Sequence, residues 1–124
     1  MTEQQTRAST IEAINRFNEA FNRRDVNAIM EAMTEDCVFE NTAPPDGRRY
    51  QGQAAVRAAW EGFFNSTPGT EFAIEEMFTC GDRSIVRWTF YWTGQSEEKG
   101  HVRGVDIFRV RDGKVAEKLS YVKG

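Results

Sequence analysis

An aspartate in the middle of an apolar strand face is the residue best placed to do chemistry. Residues 101–111 are predicted to form a strand, in which side chains alternate between the two faces. One face then carries Val102, Gly104, Asp106, Phe108 and Val110. A carboxyl group there costs free energy to bury unless it is paired, hydrogen-bonded or protonated, and Gly104 leaves space beside it. Because perturbed carboxyls concentrate at functional sites, we interpret Asp106 as a candidate acid–base group. The alternative is a structural aspartate that binds backbone amides or an arginine.

The preceding strand carries a stripe of large aromatic side chains. Alternation over residues 84–94 sends Val86, Trp88, Phe90 and Trp92 to one face. Such a stripe either fills an ordinary core or lines a cavity for a flat hydrophobic ligand. The strand alone favours the core, because aromatic stripes pack more often than they bind.

Several other chemistries need residues that are scarce in this chain. Its 124 residues include one histidine, His101, and two cysteines, Cys37 and Cys80, without a C-x-x-C spacing. These are too few soft ligands for a zinc site or a redox pair, and a single histidine argues against a Ser-His-Asp triad. We therefore expect no metal site.

Charge and hydropathy exclude two classes of partner. The net charge is −3, and the only close cation pairs are Arg23–Arg24 and Arg48–Arg49. Binding to a phosphate backbone depends on clustered cations, so we expect no nucleic-acid partner. No apolar run approaches the roughly 18 residues of a membrane span, and the N-terminus has no signal-peptide core. We expect a cytoplasmic protein with reduced thiols.

The elements that must position these residues follow an α+β order, with helices first and strands later. A capping box formed by Ser9 and Glu12 predicts a helix over residues 9–22. We expect one domain spanning residues 1–124, in which residues 1–8 form a loose N-terminal tail. Further helices are predicted at about 26–33, capped by Asp25, and at 53–64. The predicted strands are 37–41, 71–80, 84–94, 101–111 and 115–123, the last four forming an antiparallel meander with a turn at 95–100. Residues 42–52 contain Pro44–Pro45 and Asp46–Gly47, which predicts a loop without regular structure.

Four segments carry a family resemblance: FNEAFNRRD at 17–25, CVFEN at 37–41, YQGQAAVR at 50–57 and GVDIFR at 104–109. Together they resemble the SnoaL-like branch of the NTF2-like superfamily, which includes ketosteroid isomerases, polyketide cyclases and limonene-epoxide-hydrolase-like proteins. The resemblance implies a cone in which a curved antiparallel sheet wraps around about three helices and encloses a deep apolar pocket. It implies pocket walls made by Phe17, Phe39, Trp60, Val86, Trp88, Phe90 and Trp92. It also implies a homodimer through the outer sheet face, which carries Arg87, Thr89 and Tyr91.

The resemblance also suggests roles for single residues. Asp106 matches the isomerase aspartate that helps to hold the dienolate oxygen, whereas Phe17 and Asn41 stand where those enzymes have a tyrosine and the proton-moving aspartate. A phenyl ring cannot donate to an oxyanion and an amide cannot act as a general base, so we do not expect the steroid isomerase mechanism.

Three functional hypotheses follow. The first is a cofactor-independent cyclase or isomerase that acts on a flat, carbonyl-bearing hydrophobic molecule, with Asp106 as the acid–base group and Asn41 orienting the carbonyl. The second is a non-catalytic module that binds a small hydrophobic ligand or a protein partner. The third is an epoxide-hydrolase-like enzyme. Two observations argue against it: Arg87 alternates to the outer face of the sheet, and Ser120 stands near the position where an aspartate of the final strand is expected.

Overall fold

Helices early in the chain and strands later in it form the fold. The computed structural model describes residues 2–93 and 98–123. The helices are α1 (Glu3–Asn22), α2 (Val26–Glu31) and α3 (Gln53–Ser66). The strands are β1 (Met33–Glu40), β2 (Arg49–Gln51), β3 (Gly69–Cys80), β4 (Arg83–Thr93), β5 (Lys99–Arg111) and β6 (Lys114–Val122). The predicted α+β class is confirmed.

The six strands form one curved sheet in the order β2-β1-β6-β5-β4-β3. Neighbouring strands are antiparallel except β1 and β6, which are parallel. The meander from β3 to β6 is therefore confirmed. Most of the turn predicted at 95–100 lies outside the described residues, and β5 begins at Lys99, two residues earlier than predicted. The order places β6 in the middle of the sheet, between β1 and β5.

The first helix begins earlier than the sequence interpretation placed it. Thr2 Oγ1 accepts a hydrogen bond from the Gln5 amide at 3.1 Å, and Gln5 Oε1 accepts one from the Thr2 amide at 2.8 Å. This capping box starts α1 at Glu3, so the assignment of residues 1–8 as a loose tail is wrong for the described part of that segment. The sequence motif of Ser9 and Glu12 has the same form but lies inside the helix, because the capping box of Thr2 and Gln5, two turns upstream, caps α1.

The segment 42–52 is not wholly irregular, which corrects a second expectation. Residues 49–51 form β2, which pairs with β1 so that Tyr50 lies opposite Phe39. The turn that brings the chain back contains Gly47 at φ +80°, where a Cβ atom would collide with the Asn41 carbonyl. The irregular part of the proline-rich segment before β2 is therefore limited to residues 42–48. Asp25 caps α2 as predicted, accepting from the Ala28 amide at 3.1 Å.

The core lies between α1, α3 and the concave face of the sheet. Its largest fully buried side chains include Ile14 and Phe17 of α1, Val56 of α3, and Val86 and Phe108 of the sheet. Apolar residues at helical spacing on the helices and at alternating positions on the strands are thus brought together. In the ranges 2–93 and 98–123, no helix is long and apolar enough to cross a bilayer.

Two glycines of β5 fix the positions of two indole rings. A Cβ atom on Gly104 would lie 2.8 Å from the Trp88 ring, and one on Gly100 would lie 2.5 Å from the Trp92 ring. Each indole of β4 therefore lies directly against the bare backbone of its opposite residue on β5. The space that Gly104 was expected to leave beside Asp106 is filled by Trp88.

This packing predicts that Gly104→Ala destabilises the fold. The new methyl group would overlap both the Trp88 ring and the Tyr121 carbonyl oxygen, which is backbone and cannot rotate away. We expect the free energy of unfolding in urea to fall by about 2 kcal/mol, as for other overpacked cores. Gly62→Ala is the control, because the added methyl meets no heavy atom within 4 Å and alanine favours the helix. An unchanged midpoint for Gly104→Ala would contradict the packing described.

Candidate ligand-binding site

A cavity of about 400 Å³ opens between α3 and the concave face of the sheet. Six of the residues predicted to form the site line it: Asn41, Phe39, Trp60, Trp88, Phe90 and Trp92. Four further aromatic residues also line it: Phe21, Tyr50, Phe63 and Phe72. The aromatic stripe of β4 is therefore part of a cavity wall rather than only a packed core.

Three residues of the predicted site do not reach the cavity. Phe17, Val86 and Asp106 are completely buried and lie behind its lining. The Phe17 ring packs edge-on against Trp60, with the ring centroids 6.1 Å apart, and so stands one layer deeper. Alternation assigned Val86 and Asp106 to the correct face of the sheet, but how far a side chain lies from the cavity depends on the neighbouring side chains.

Asp106 is held by two residues of β6. The Ser120 hydroxyl donates a hydrogen bond to Asp106 Oδ1 at 2.6 Å. The Lys118 ammonium donates to Ser120 Oγ at 2.8 Å and lies 3.3 Å from Asp106 Oδ2. Pairing of β5 with β6 puts Ser120 directly opposite Asp106 and Lys118 at the diagonal position, so the three side chains share the concave face. Oδ1 of the carboxylate therefore accepts a hydrogen bond from a hydroxyl, whereas the buried Oδ2 accepts none and is compensated only by the ion pair with Lys118.

Lys118 is the functional candidate that the sequence analysis missed. Its side chain is only 8% exposed, and both it and Ser120 line the cavity in front of Asp106. Its ammonium lies 5.0 Å from the Phe39 ring centroid and 5.5 Å from that of Trp60, within the range of cation–π attraction. The signal available in the sequence was the spacing of Lys118 and Ser120, which places both on one face of the final strand.

Asn41 lies at the rim of the cavity, where β1 ends. Its Oδ1 accepts hydrogen bonds from the backbone amides of Ala43, at 3.1 Å, and Arg48, at 2.7 Å. Two backbone donors fix this atom as the oxygen, so the amide NH2 is the part of Asn41 that can donate to a ligand.

The remaining chemical candidates lie elsewhere. Arg87 is on the outer sheet face, where it pairs with Glu76 at 2.8 Å, so it does not join Asn41 in a water-activating set. His101 is exposed beside Tyr91. Burial raises the pKa of the Cys37 thiol, which keeps it neutral. Across the described ranges, no three His, Cys, Asp or Glu side chains are grouped so that they could hold a metal ion.

An open curved sheet that encloses an aromatic cavity together with N-terminal helices is the architecture of NTF2-like proteins. An NTF2-like protein of unknown function from Mesorhizobium loti shares it, with 40% sequence identity and a TM-score of 0.78 over 95% of this chain and 93% of that chain. The model of the SnoaL-like domain matches residues 14–118. The chain therefore belongs to the SnoaL-like family.

More distant structures share the fold alone. A protein from Shewanella denitrificans that is assigned as a SnoaL-like polyketide cyclase is 15% identical, with a TM-score of 0.81 over 92% of this chain and 90% of that chain. An LEH-like epoxide hydrolase of M. tuberculosis is 19% identical, with a TM-score of 0.80 over 94% of this chain and 84% of that chain. None of the curated protein sequences compared with this chain matches it.

The ion pair predicts a large effect of removing one partner. Lys118→Met leaves the Asp106 carboxylate buried without a cation, so we expect the free energy of unfolding in urea to fall by roughly 3–5 kcal/mol. The double variant Lys118→Met/Asp106→Asn removes both charges and should recover most of that loss. A loss below about 1 kcal/mol for the single variant, the size typical of a solvent-exposed pair, would contradict a buried ion pair.

Proposed function

We propose that the cavity binds a flat, carbonyl-bearing hydrophobic molecule and acts on it as a cofactor-independent cyclase or isomerase. The observation that carries this proposal is an aromatic cavity whose polar wall is formed by Lys118 and Ser120, with Asp106 behind them. A volume of about 400 Å³ lies within the range of small-molecule sites. The structural similarity to a protein assigned as a polyketide cyclase also supports it.

Removal of a proton from the carbon beside a carbonyl group is the step that this arrangement suits. The Lys118 ammonium would donate to the carbonyl oxygen, on which negative charge develops. As the C–H bond breaks, its proton passes to Ser120 Oγ while the Ser120 hydroxyl proton passes to Asp106 Oδ1, 2.6 Å away. The electron pair of the broken bond forms the enolate.

The next reaction of the enolate would distinguish a cyclase from an isomerase. In a cyclase, the enolate carbon attacks a second carbonyl group of the same molecule, and the resulting alkoxide takes the proton back from Asp106 through Ser120. In an isomerase, the same proton returns to a different carbon of the substrate. Asp106 thus keeps the acid–base role expected from the sequence but acts through the hydroxyl of Ser120.

A second candidate is a pocket that binds such a molecule without acting on it. Complete burial of Asp106 favours this candidate, because the carboxylate does not itself meet the cavity. Binding and proton transfer must therefore be measured separately.

We expect the protein to catalyse deuterium incorporation at C1 of 2-tetralone, a flat ketone with acidic C–H bonds. In D2O, followed by proton NMR, the wild type should exceed buffer by about 10²-fold or more, the usual scale of general acid–base catalysis. Ser120→Ala and Asp106→Asn should each remove most of this rate. Ser9→Ala, which alters a serine of α1 outside the cavity lining, should leave it unchanged.

Binding of 2-tetralone is read independently by tryptophan fluorescence, because all three tryptophans of the chain line the cavity. Binding without exchange would favour the non-catalytic pocket. If 2-tetralone and related planar ketones neither bind nor exchange, the proposed function is wrong.

We also propose that a second copy of the chain covers the outer face of the sheet. A row of apolar residues crosses four strands there at matching register: Phe78, Ile85, Ile107 and Leu119. Phe78 is 59% exposed and Ile85 is 45% exposed. The neighbouring charges compensate one another, because Glu75 binds Arg103 at 2.7 Å and Glu76 binds Arg87 at 2.8 Å. A neutral, apolar face of this kind suits burial against an identical surface.

Phe78→Glu should therefore shift the chain from dimer to monomer. Sedimentation velocity at micromolar concentration is expected to show at least a tenfold weaker dimer, because the substitution would bury a carboxylate in the contact. Ala8→Glu adds the same charge to the exposed part of α1 and should leave the dimer intact. A wild-type monomer at these concentrations would contradict the proposal.

A further inference from the structure

We propose that the molecule bound in the cavity presents an anionic oxygen, as a carboxylate, phenolate or enolate, and that Lys118 is the residue that selects it. This inference rests on the proposed ligand-binding function and specifies the chemistry of the ligand. The alternative is a neutral ligand held by apolar contacts alone, with Lys118 serving only as the counter-ion of Asp106.

The charge that faces the cavity is positive. Lys118 is the one charged side chain among the described residues that line it. Asp106 is fully buried behind that lining, whereas the Lys118 side chain retains 8% exposure. The ion pair is therefore oriented with its ammonium toward the cavity and its carboxylate away from it.

The other polar groups nearby also favour an acceptor on the ligand. The Ser120 hydroxyl proton is used by Asp106, and Asn41 Oδ1 is used by two backbone amides. Asn41 therefore has only its NH2 group to offer, and Lys118 can offer an N–H directed away from Ser120. Both residues that line the cavity therefore offer donors, which favours a ligand that presents acceptor oxygen atoms.

The surroundings strengthen the discrimination. The Lys118 ammonium lies against the faces of Phe39 and Trp60, so the site of the interaction is shielded from water by aromatic rings. Charge-assisted hydrogen bonds are shorter and stronger than neutral ones, and they weaken less where water is excluded. The aromatic walls formed by Trp88 and Trp92 favour a planar, apolar body for the rest of the ligand.

The test compares two planar probes of the same shape, 2-naphthoate and 2-naphthamide, by isothermal titration calorimetry at pH 7. We expect wild type to bind 2-naphthoate about tenfold more tightly, the effect of one charge-assisted hydrogen bond. Lys118→Met/Asp106→Asn should abolish the preference without leaving a buried unpaired charge. Lys114→Met, an exposed lysine of the same strand, should retain it.

The possible outcomes separate this inference from the proposed function. Equal affinity for both probes in wild type would overturn the inference while leaving ligand binding in place. A preference that survives in the double variant would show that Lys118 is not the selecting residue. Failure of wild type to bind either probe would overturn the inference and count against the proposed pocket as well. Circular dichroism of each variant confirms that the compared proteins are folded.

Discussion

The buried ion pair between Asp106 and Lys118 constrains the rest of the site. Neither charge is stable in this position without the other, because each would be desolvated without compensation. The pairing of β5 with β6 must therefore keep both on the concave face. A slip by one residue would send Lys118 and Ser120 to the outer face and leave Asp106 alone in the core. The register of two central strands and the chemistry of the cavity are thus fixed by the same interaction.

The aromatic rings around this pair connect it to the rest of the fold. Phe39 of β1 and Trp60 of α3 have ring centroids 4.1 Å apart, and the Lys118 ammonium lies within 5.5 Å of both. One charged group therefore joins a helix and two strands at the wall of the cavity. On the opposite side, glycines of β5 let Trp88 and Trp92 lie against the backbone, which keeps the cavity from being filled by their indoles.

Local patterns predicted the elements better than they predicted contacts. Alternation gave the strands of the meander and the faces of Asp106 and Trp88, because a period of two depends only on the strand itself. It could not show that Asp106 and Phe17 lie one layer behind the cavity, which depends on side chains from other elements. Lys118 was missed because a lysine in a strand is usually solvated, and its partner is identified only by the register between strands. The start of α1 was misplaced because two patterns of the same form competed.

The different lengths of the two charged side chains decide what the cavity can do. Asp106 and Lys118 occupy diagonal positions on neighbouring strands, so the short aspartate stays close to the sheet while the long lysine reaches across it. The ammonium therefore comes to lie on the cavity side of the carboxylate. With the positions exchanged, a carboxylate would line the cavity and the same pair would favour a cationic ligand or direct proton abstraction. In this chain the carboxylate does not line the cavity and hydrogen-bonds Ser120, which does, whereas the Lys118 side chain lines the cavity itself.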